Sequence, residues 1–187
     1  MPPKARITGE MIVEAAFEIA RSKGAEHVNV RTVSERLQCS TQPVLYHFKK
    51  MEEIRRAVYG KADEYHSAYI MDIQGDNPMK EIGLRYIRFA VEEKHLFRFL
   101  FQSDGFTGKS AAELINAEEI EPVIGILMRE ADIGREQAKT VFRSLFLIAH
   151  GYASMYANNE MEYDEEAVSS DLAFIFNGAV YAAKGGL

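Results

Sequence analysis

The segment TQPVLYHFKK at residues 41–50 carries the side chains of this sequence that are best suited to specific recognition chemistry. If the segment forms a helix, Val44 and Phe48 are four residues apart and share the inward face. The outward face then presents a hydroxyl, an amide, an apolar side chain and a phenol, from Thr41, Gln42, Leu45 and Tyr46.

These groups match the base edges and the backbone of double-stranded DNA. The amide of Gln42 can pair with adenine, and the side chain of Leu45 can meet the methyl group of thymine. Lys49 and Lys50 follow directly and can neutralise phosphates. The chemistry is that of noncovalent base reading, in which no bond is made or broken.

The surrounding residues predict two short helices joined by a tight turn. Residues 30–37 form the first helix, with Asn29 as its cap. Residues 38–39 make the turn, and Ser40 takes the N-cap position of the second helix. Pro43 is tolerated because it lies in the first turn, where backbone N–H groups have no intrahelical acceptor. This is the layout of a helix-turn-helix, whose second helix enters the major groove.

An amphipathic helix is predicted before this pair, from Thr8 as a cap to Gly24 as its end. Its apolar stripe covers the other two helices, so it serves mainly as scaffold. Residues 1–7 show no periodicity and carry Lys4 and Arg6. They are either an unstructured terminus or an arm that reaches a phosphate or the minor groove.

Over about residues 8–60 the sequence resembles the tetracycline-repressor (TetR/AcrR) family of bacterial transcriptional regulators. The resemblance rests on the first helix IVEAAFEIARSKG, the valine-rich second helix, Ser40 and the phrase VLYHFKKMEEI at residues 44–54. Beyond residue 60 it rests on length, helical character and the phrases HLFRF and AHGY. The resemblance implies an effector site in the body and a phosphate contact by His47.

Three positions depart from the family pattern. Gln38 stands where the turn usually has glycine, Leu45 where a DNA-contacting tyrosine is common, and Met51 where a phosphate-contacting lysine is usual. The family's own DNA contacts therefore do not carry over at Leu45 and Met51. The residues expected to contact DNA are Thr32, Thr41, Gln42, Pro43, Leu45, Tyr46, His47, Lys49 and Lys50.

The composition is typical of a folded globular protein. The chain has 187 residues, of which 47% are hydrophobic, so that material for a core is ample. There is no run of 18 apolar residues and no signal-peptide pattern at the start. We therefore expect a soluble, cytoplasmic protein without a membrane partner. The single cysteine, Cys39, is interpreted as a small buried hydrophobe, with a redox sensor as the alternative.

The charge is unevenly distributed along the chain. The net charge is −6, but residues 1–50 hold eight Lys or Arg against five Glu and carry +3, which leaves −9 for the remainder. A basic head on an acidic body suits a DNA-binding protein, because phosphates attract the head and repel the body.

Beyond residue 50 the apolar spacing stays helical, and no strand alternation appears. The predicted helices cover residues 51–73, 78–93, 96–101, 110–128 with a bend at Pro122, 135–158 and 164–184. No flexible linker precedes the helix at 51–73, so this helix can transmit movement. We predict an all-α protein with a three-helix helix-turn-helix head at residues 1–50. A long helix joins it to a larger effector-binding and dimerisation domain at residues 51–187.

Aromatic side chains of the predicted body can line a cavity for an apolar or amphipathic small molecule. The same spacing is what any helical core needs, so each residue belongs either to a pocket or to the core alone. The candidates are Tyr69, Tyr86, Phe89, Phe97, Phe101, Phe142 and Phe146.

The last two predicted helices are apolar on more than one side. Such a helix can pack one face into its own subunit and leave another for a partner, although complete burial within one subunit is the alternative. We predict a two-fold homodimer with a four-helix contact across the axis. The candidate interface residues are Phe142, Tyr152, Tyr156, Leu172, Phe176 and Val180.

No catalytic or metal-binding pattern occurs in the sequence. It has no Gly-rich phosphate loop, no HExxH pair, no nucleophile elbow and no Cys/His metal spacing, and no cofactor is predicted. The favoured function is a DNA-binding transcriptional regulator, a repressor released from a palindromic operator by a small-molecule effector. The alternatives are a helical interaction or ligand-binding protein that no longer binds DNA specifically, and a helical enzyme.

Overall fold

The computed structural model describes residues 7–103 and 118–186, apart from the side chain of residue 119. Within these residues all regular structure is helical, which confirms the predicted all-α class. The α-helices are α1 (Gly9–Lys23), α2 (Val30–Arg36), α3 (Thr41–His47), α4 (Met51–Met71), α5 (Pro78–Glu92), α6 (Lys94–Phe101), α7 (Glu121–Ala131), α8 (Arg135–Asn158) and α9 (Glu165–Ala183). Two short 3₁₀ helices lie at Ala25–His27 and Glu118–Ile120.

The described residues form two compact units. The first unit comprises residues 7–67 and 95–103, and the second comprises residues 68–94 and 118–186. One boundary follows Ser67 and so falls inside α4. The predicted division at residue 50 separates functions rather than packing units, and it stays a prediction.

Helix α1 forms as its sequence predicts. The hydroxyl of Thr8 accepts a hydrogen bond from the backbone N–H of Met11 at 3.2 Å. At the other end Gly24 has φ +107°, a conformation that L side chains rarely adopt. The helix buries one stripe in the first unit, which consists of Ile12, Ala15, Ala16, Phe17, Ile19 and Ala20.

Helix α2 begins with a closed hydrogen-bond ring. The side-chain oxygen of Asn29 accepts from the backbone N–H groups of Arg31 and Thr32, each at 3.0 Å. The hydroxyl of Thr32 in turn accepts from the N–H of Asn29 at 3.1 Å. This capping box satisfies N–H groups that have no partner within the helix, and it confirms Asn29 as the predicted cap.

The turn between α2 and α3 is a Schellman motif. The N–H of Gln38 donates to the carbonyl of Glu35 at 3.1 Å, and the N–H of Cys39 donates to the carbonyl of Ser34 at 3.0 Å. Gln38 has φ +52°, in the left-handed region where glycine is normally found. Cys39 is half-buried rather than fully buried as expected, because it lies in this surface turn.

Two proline residues begin helices of the second unit. Pro78 follows the cap residue Asn77, whose side chain accepts from the N–H of Lys80 at 3.1 Å. Pro122 lies in the first turn of α7, and the predicted bend of a helix that starts at residue 110 stays a prediction. Proline lacks the N–H that an interior position needs but a first turn does not. The predicted helix start at residue 110 lies outside the described residues.

The conformation of Gln38 predicts that Gln38→Gly stabilises the first unit. The substitution removes a left-handed strain of about 1–2 kcal/mol, and the greater freedom of glycine in the unfolded chain offsets about 0.5–1 kcal/mol of this gain. Urea unfolding at one fixed protein concentration should therefore show a gain of roughly 0.5–1 kcal/mol. Gln38→Ala is the matched control and should leave stability nearly unchanged, since alanine keeps the strain. A loss of stability in Gln38→Gly would contradict this account of the turn.

Candidate functional site

Helix α3 presents one exposed face and one anchored face. Val44 is fully buried, and it fixes the rotation of the helix in the first unit. The opposite face is exposed, with 48% of Leu45 and 67% of Tyr46 accessible to solvent. Thr41 and Gln42 are also exposed, and Pro43 is half-buried. The structure therefore brings the four residues that were predicted to face outward together on one surface.

The C-terminal end of α3 carries a compact cationic and aromatic group. The ammonium of Lys49 donates to the carbonyl of Leu45 at 3.3 Å and lies 5.6 Å from the ring centre of Tyr46. The rings of Tyr46 and His47 meet edge to face at 5.2 Å. This geometry holds a positive charge beside a phenol, which is the combination that phosphate oxygens favour.

A carboxylate occupies the junction between α3 and α4. Glu53 accepts from the backbone N–H of Lys49 at 2.8 Å and from that of Lys50 at 3.2 Å. Both amides are therefore already bonded to an anion. Since Met51 also lacks a charge, Lys49 and Lys50 are the cationic side chains directly before α4, and the exposed Arg55 and Arg56 follow within that helix.

Two other predicted residues, Thr32 and Ser40, differ in the hydrogen bonds that their side chains form. The hydroxyl of Thr32 donates to the carbonyl of His27 at 2.8 Å, and it would have to change partner before donating to a phosphate. Ser40 takes the N-cap position of α3, but its side chain forms no capping hydrogen bond. Thr32 therefore stays a predicted phosphate contact with an evident structural role in the start of α2.

Nearby arginines on α2 are held in ion pairs. The guanidinium of Arg31 lies 2.8 Å from Glu35, and that of Arg36 lies 3.6 Å from Glu18. Their charge is partly compensated within the unit. Exposed pairs of this kind contribute little to stability, typically about 0–1 kcal/mol.

The predicted ligand-binding residues fall into separate groups. Phe97 and Phe101 belong to the first unit, where their ring centres are 5.0 Å apart. The other five belong to the second unit: Tyr69, Tyr86, Phe89, Phe142 and Phe146.

Within the second unit, α5 and α8 form an aromatic cluster with a polar pair at its centre. Phe142 stacks on Phe146 at 5.9 Å, and Phe146 stacks on His150 at 5.5 Å. The hydroxyl of Tyr86 lies 2.9 Å from Nδ1 of His150. Burial raises the pKa of Tyr86 and lowers that of His150, so both stay uncharged near neutral pH. The phenol can then donate to the neutral imidazole.

Sequence reasoning did not assign His150 to any site. The available signal was its spacing. Steps of four residues lead from Phe142 to Phe146 and on to His150, which places the three side chains on one helix face. Its partner, Tyr86, is 64 positions away in the chain and cannot be read from local pattern.

A second group surrounds Tyr69 at the end of α4. Its ring meets that of Phe89 edge to face at 5.4 Å, and its hydroxyl donates to Glu92 at 2.7 Å. Arg85 donates to the backbone carbonyl of Tyr69 at 2.7 Å and to Asp72 at 2.6 Å. These bonds fix the last turn of α4 against α5 within the second unit.

A groove of about 480 Å³ lies on the first unit between α1 and α4. Its lining residues are Gly9, Glu10, Val13, Glu14, Arg56, Ala57, Gly60, Lys61 and Glu64. None of the predicted ligand-binding residues lines it. The groove is open and charged, with Lys61 bonded to Glu14 at 2.7 Å, and so it does not suit an apolar ligand.

The predicted dimer residues differ in exposure. Leu172 is only 4% exposed and packs toward Gly83 of its own unit, which leaves little of it for a partner. Tyr152 stacks on Tyr156 at 6.2 Å, and its hydroxyl donates to Asp171, a bond that raises the pKa of Tyr152 to about 12. The half-buried members of the set are Phe142, Tyr152, Tyr156, Phe176 and Val180.

A more exposed apolar face lies elsewhere on the same two helices. Leu147 of α8 is 60% exposed, and on α9 Phe174 and Tyr181 are 78% and 63% exposed. Gly151 and Gly178 lie beside these residues along their helices, and a methyl group added at either would meet no atom within 4 Å. The predicted interface set does not include these residues, although Phe174 and Tyr181 stand seven residues apart and share a helix side.

Within residues 7–103 and 118–186, no helix is long and apolar enough to cross a membrane. The same part of the chain holds no group of three or more His, Cys, Asp or Glu arranged to bind a metal ion.

The scaffold helix α1, the capped helix α2, the Schellman turn and the exposed face of α3 define a DNA-binding protein of the helix-turn-helix class. The profile of the family described as "Tetracyclin repressor-like, C-terminal domain" matches residues 79–173, just over half of the chain. The chain therefore belongs to the tetracycline-repressor family of transcriptional regulators.

Individual relatives agree with this assignment. The chain is 23% identical to the uncharacterized HTH-type transcriptional regulator YobS of Bacillus subtilis (strain 168). The alignment spans 174 residues and covers 91% of this chain and 90% of that protein. A transcriptional regulator from Rhodococcus sp. Rha1 is 20% identical with a TM-score of 0.62, covering 92% of this chain and 97% of that one. A TetR variant from Acinetobacter baumannii AYE, in complex with minocycline, is 13% identical with a TM-score of 0.59, covering 95% and 97%.

Proposed function

We propose that this regulator is a homodimeric repressor that acts in the cytoplasm and binds a palindromic operator through α3. A small apolar or amphipathic effector releases it from that operator. Residues 1–50 form the DNA-binding domain, and residues 51–187 form the effector-binding and dimerisation domain. The observation that carries the proposal is the outward face of α3, where Gln42 and Tyr46 are exposed beside Lys49 while Val44 is fully buried.

In this proposal the exposed face of α3 divides into base-reading and phosphate-binding parts. Thr41, Gln42 and Leu45 lie at or near its N-terminal half and face the base edges in the major groove. Tyr46, His47 and Lys49 lie at the other end and meet phosphates, together with Thr32 and Lys50. Pro43 contributes only apolar contact, because it has no donor.

This division predicts different effects of two substitutions on operator binding. Gln42→Ala should lower the preference at one base position by about 1–3 kcal/mol, because it removes an amide that reads a base edge. Lys49→Ala should weaken all sequences alike and reduce the salt slope by about 1, because it removes one phosphate contact. Fluorescence anisotropy on DNA from upstream of the gene for this protein, with single-base operator variants and a salt series, measures both quantities.

Lys23→Ala is the control for charge, since Lys23 is an exposed lysine outside the proposed contact surface. It should leave the salt slope unchanged. Equal losses at every base position for Gln42→Ala would count against base reading. Absence of any sequence preference in the unsubstituted protein would favour a helical protein that has lost specific DNA binding.

The proposed dimer uses α8 and α9, as the sequence predicts. Its interface also includes the exposed apolar face formed by Leu147, Phe174 and Tyr181. Phe174 and Tyr181 of one subunit would pack against the partner, where the open space beside Gly151 and Gly178 can receive them. Exposed aromatic side chains of this size favour burial in an interface. Two-fold pairing would place two recognition helices on inverted half-sites.

Phe174→Glu should therefore convert the dimer into monomers, because it would bury an unpaired charge in the interface. Leu172→Ala should instead lower the free energy of unfolding by about 2–5 kcal/mol while the protein remains a dimer, since Leu172 is buried in its own unit. Analytical ultracentrifugation at micromolar concentration measures the first effect, and urea unfolding measures the second. A dimeric Phe174→Glu protein would show that this face is not the interface.

The proposed effector site lies in the second unit, among the aromatic residues on α5 and α8. Tyr86, Phe142 and Phe146 offer apolar ring surface, and the Tyr86–His150 pair offers a polar group for orientation. The TetR relative crystallised with minocycline supports a ligand site in proteins of this fold. We propose that the ligand acts through α4, which is one uninterrupted helix from Met51 to Met71 and so can carry a tilt toward the DNA-binding end.

A ligand found by thermal-shift screening should bind operator-bound protein about 5- to 150-fold more weakly than free protein, the usual range of coupling. The reason is linkage, because an effector that lowers operator affinity must lose affinity by the same factor when operator is bound. Isothermal titration calorimetry with and without operator DNA measures this ratio. A Tyr86→Phe protein tests the polar anchor in the same titration. Identical affinities with and without DNA would show that the ligand does not control DNA binding.

A further inference from the structure

The three residues between α3 and α4 all have their backbone N–H groups in hydrogen bonds. The N–H of Phe48 donates to the carbonyl of Val44 in α3 at 2.9 Å. The next two N–H groups, those of Lys49 and Lys50, donate to the same carboxylate oxygen of Glu53, at 2.8 and 3.2 Å. The N–H of Glu53 donates in return to the carbonyl of Lys50 at 3.2 Å. The backbone of this link is therefore fixed at each of its three positions.

Helix capping explains only one of the two bonds to Glu53. A Glu at the third position of a helix commonly accepts from the N–H of the residue just before that helix. Glu53 is the third residue of α4, which begins at Met51, so its bond to Lys50 is of this kind. The bond to Lys49 reaches one residue further back and is the shorter of the two. It ties the start of α4 to the residue whose cation lies beside Tyr46.

The side chain of Lys49 starts from this fixed backbone and turns back over α3. Its ammonium donates to the carbonyl of Leu45 at 3.3 Å and lies 5.6 Å from the ring centre of Tyr46. An ammonium has three donors, so the bond to Leu45 leaves others for a phosphate oxygen. A cation with a fixed backbone loses less freedom when it engages a ligand than a cation on a mobile link.

We infer that Glu53 is a positioning residue for DNA binding, because its bonds to the link hold the ammonium of Lys49 beside Tyr46, where it meets a phosphate. The inference rests on the proposed function, since it requires DNA at α3. It gives an acidic residue a favourable part in binding a polyanion. Charge alone would make Glu53 repel DNA, so the two effects have opposite signs and can be separated.

Three variants separate the hydrogen bonds of Glu53 from its charge. Glu53→Ala removes both, and it leaves no cavity because Glu53 is exposed. Glu53→Gln removes the charge but keeps an oxygen that can accept from both N–H groups. Glu52→Ala is the matched control for charge, since Glu52 is exposed on the same turn of α4.

Fluorescence anisotropy on operator DNA compares these variants. Glu53→Ala should bind about 2- to 12-fold more weakly than Glu52→Ala, the range that corresponds to one hydrogen bond. Glu53→Gln should bind as tightly as Glu52→Ala. Binding of Glu53→Ala that is equal to or tighter than that of Glu52→Ala would overturn the inference, and so would a Glu53→Gln protein that binds as weakly as Glu53→Ala.

A double-mutant cycle with Lys49→Ala tests whether Glu53 acts through Lys49. In the unsubstituted background Lys49→Ala should weaken binding and reduce the salt slope by about 0.9, the value for one phosphate contact. In the Glu53→Ala background its effect on affinity should be smaller by about 2- to 12-fold, whereas in the Glu52→Ala background it should be unchanged. Additive effects of Glu53→Ala and Lys49→Ala would overturn the inference, because a general weakening of the fold would not depend on Lys49.

A measurement without DNA tests the anchoring by itself. In the free protein, Glu53→Ala should speed the exchange of the Lys49 and Lys50 amide hydrogens with water, as measured by NMR, whereas Glu53→Gln and Glu52→Ala should not. Unchanged exchange at Lys49 in Glu53→Ala would overturn the inference and leave the proposed function intact. Lack of operator binding by the unsubstituted protein would contradict the proposed function and, with it, the role of Glu53 in DNA binding.

Discussion

The direction of the recognition helix depends on the burial of one side chain, Val44. Helix α3 has seven residues, too few to be stable alone in water, so it keeps its shape only by packing against α1 and α2. Val44 is fully buried in that packing, as is Val33 of α2. A rotation of α3 about its own axis would bring Val44 to the surface of the protein and turn Gln42 away from that surface. The proposed contacts to DNA therefore require this apolar contact to be made first.

The starts of the helices were predictable because they depend on residues within three positions of one another. Thr8, Asn29 and Asn77 each accept a hydrogen bond from an N–H two or three residues ahead, and the sequence alone identifies such pairs. The turn at Gln38 was located correctly, but its left-handed backbone was not predicted from a glutamine. Glutamine has no preference for that conformation, which the two closing hydrogen bonds of the turn impose on it.

Which face of α9 packs inside its own unit could not be predicted, because it depends on a neighbouring helix. Leu172 and Phe174 are both apolar and are two positions apart, so periodicity separates them without indicating which is inside. Gly83 of α5 decides the matter: its missing side chain leaves the space that Leu172 fills, and Phe174 is then left outside. The bond between Tyr86 and His150 was unpredictable for the same reason, since it joins two helices that are far apart in the chain.

The glycines on the exposed face of α8 and α9 have a consequence for the choice of partner among related proteins. If the surface pairs as proposed, the open space beside Gly151 and Gly178 can receive an aromatic side chain of the partner. In a regulator of the same fold with valine at these places, the larger side chains would occupy that space and could clash with Phe174 or Tyr181. Steric conflict is an effective way to discriminate between similar surfaces, because a clash lowers the affinity for the wrong partner without changing the contacts to the right one. In such a pairing, the absence of side chains at Gly151 and Gly178 would disfavour mixed dimers with any regulator of the same fold that carries larger residues at these two positions.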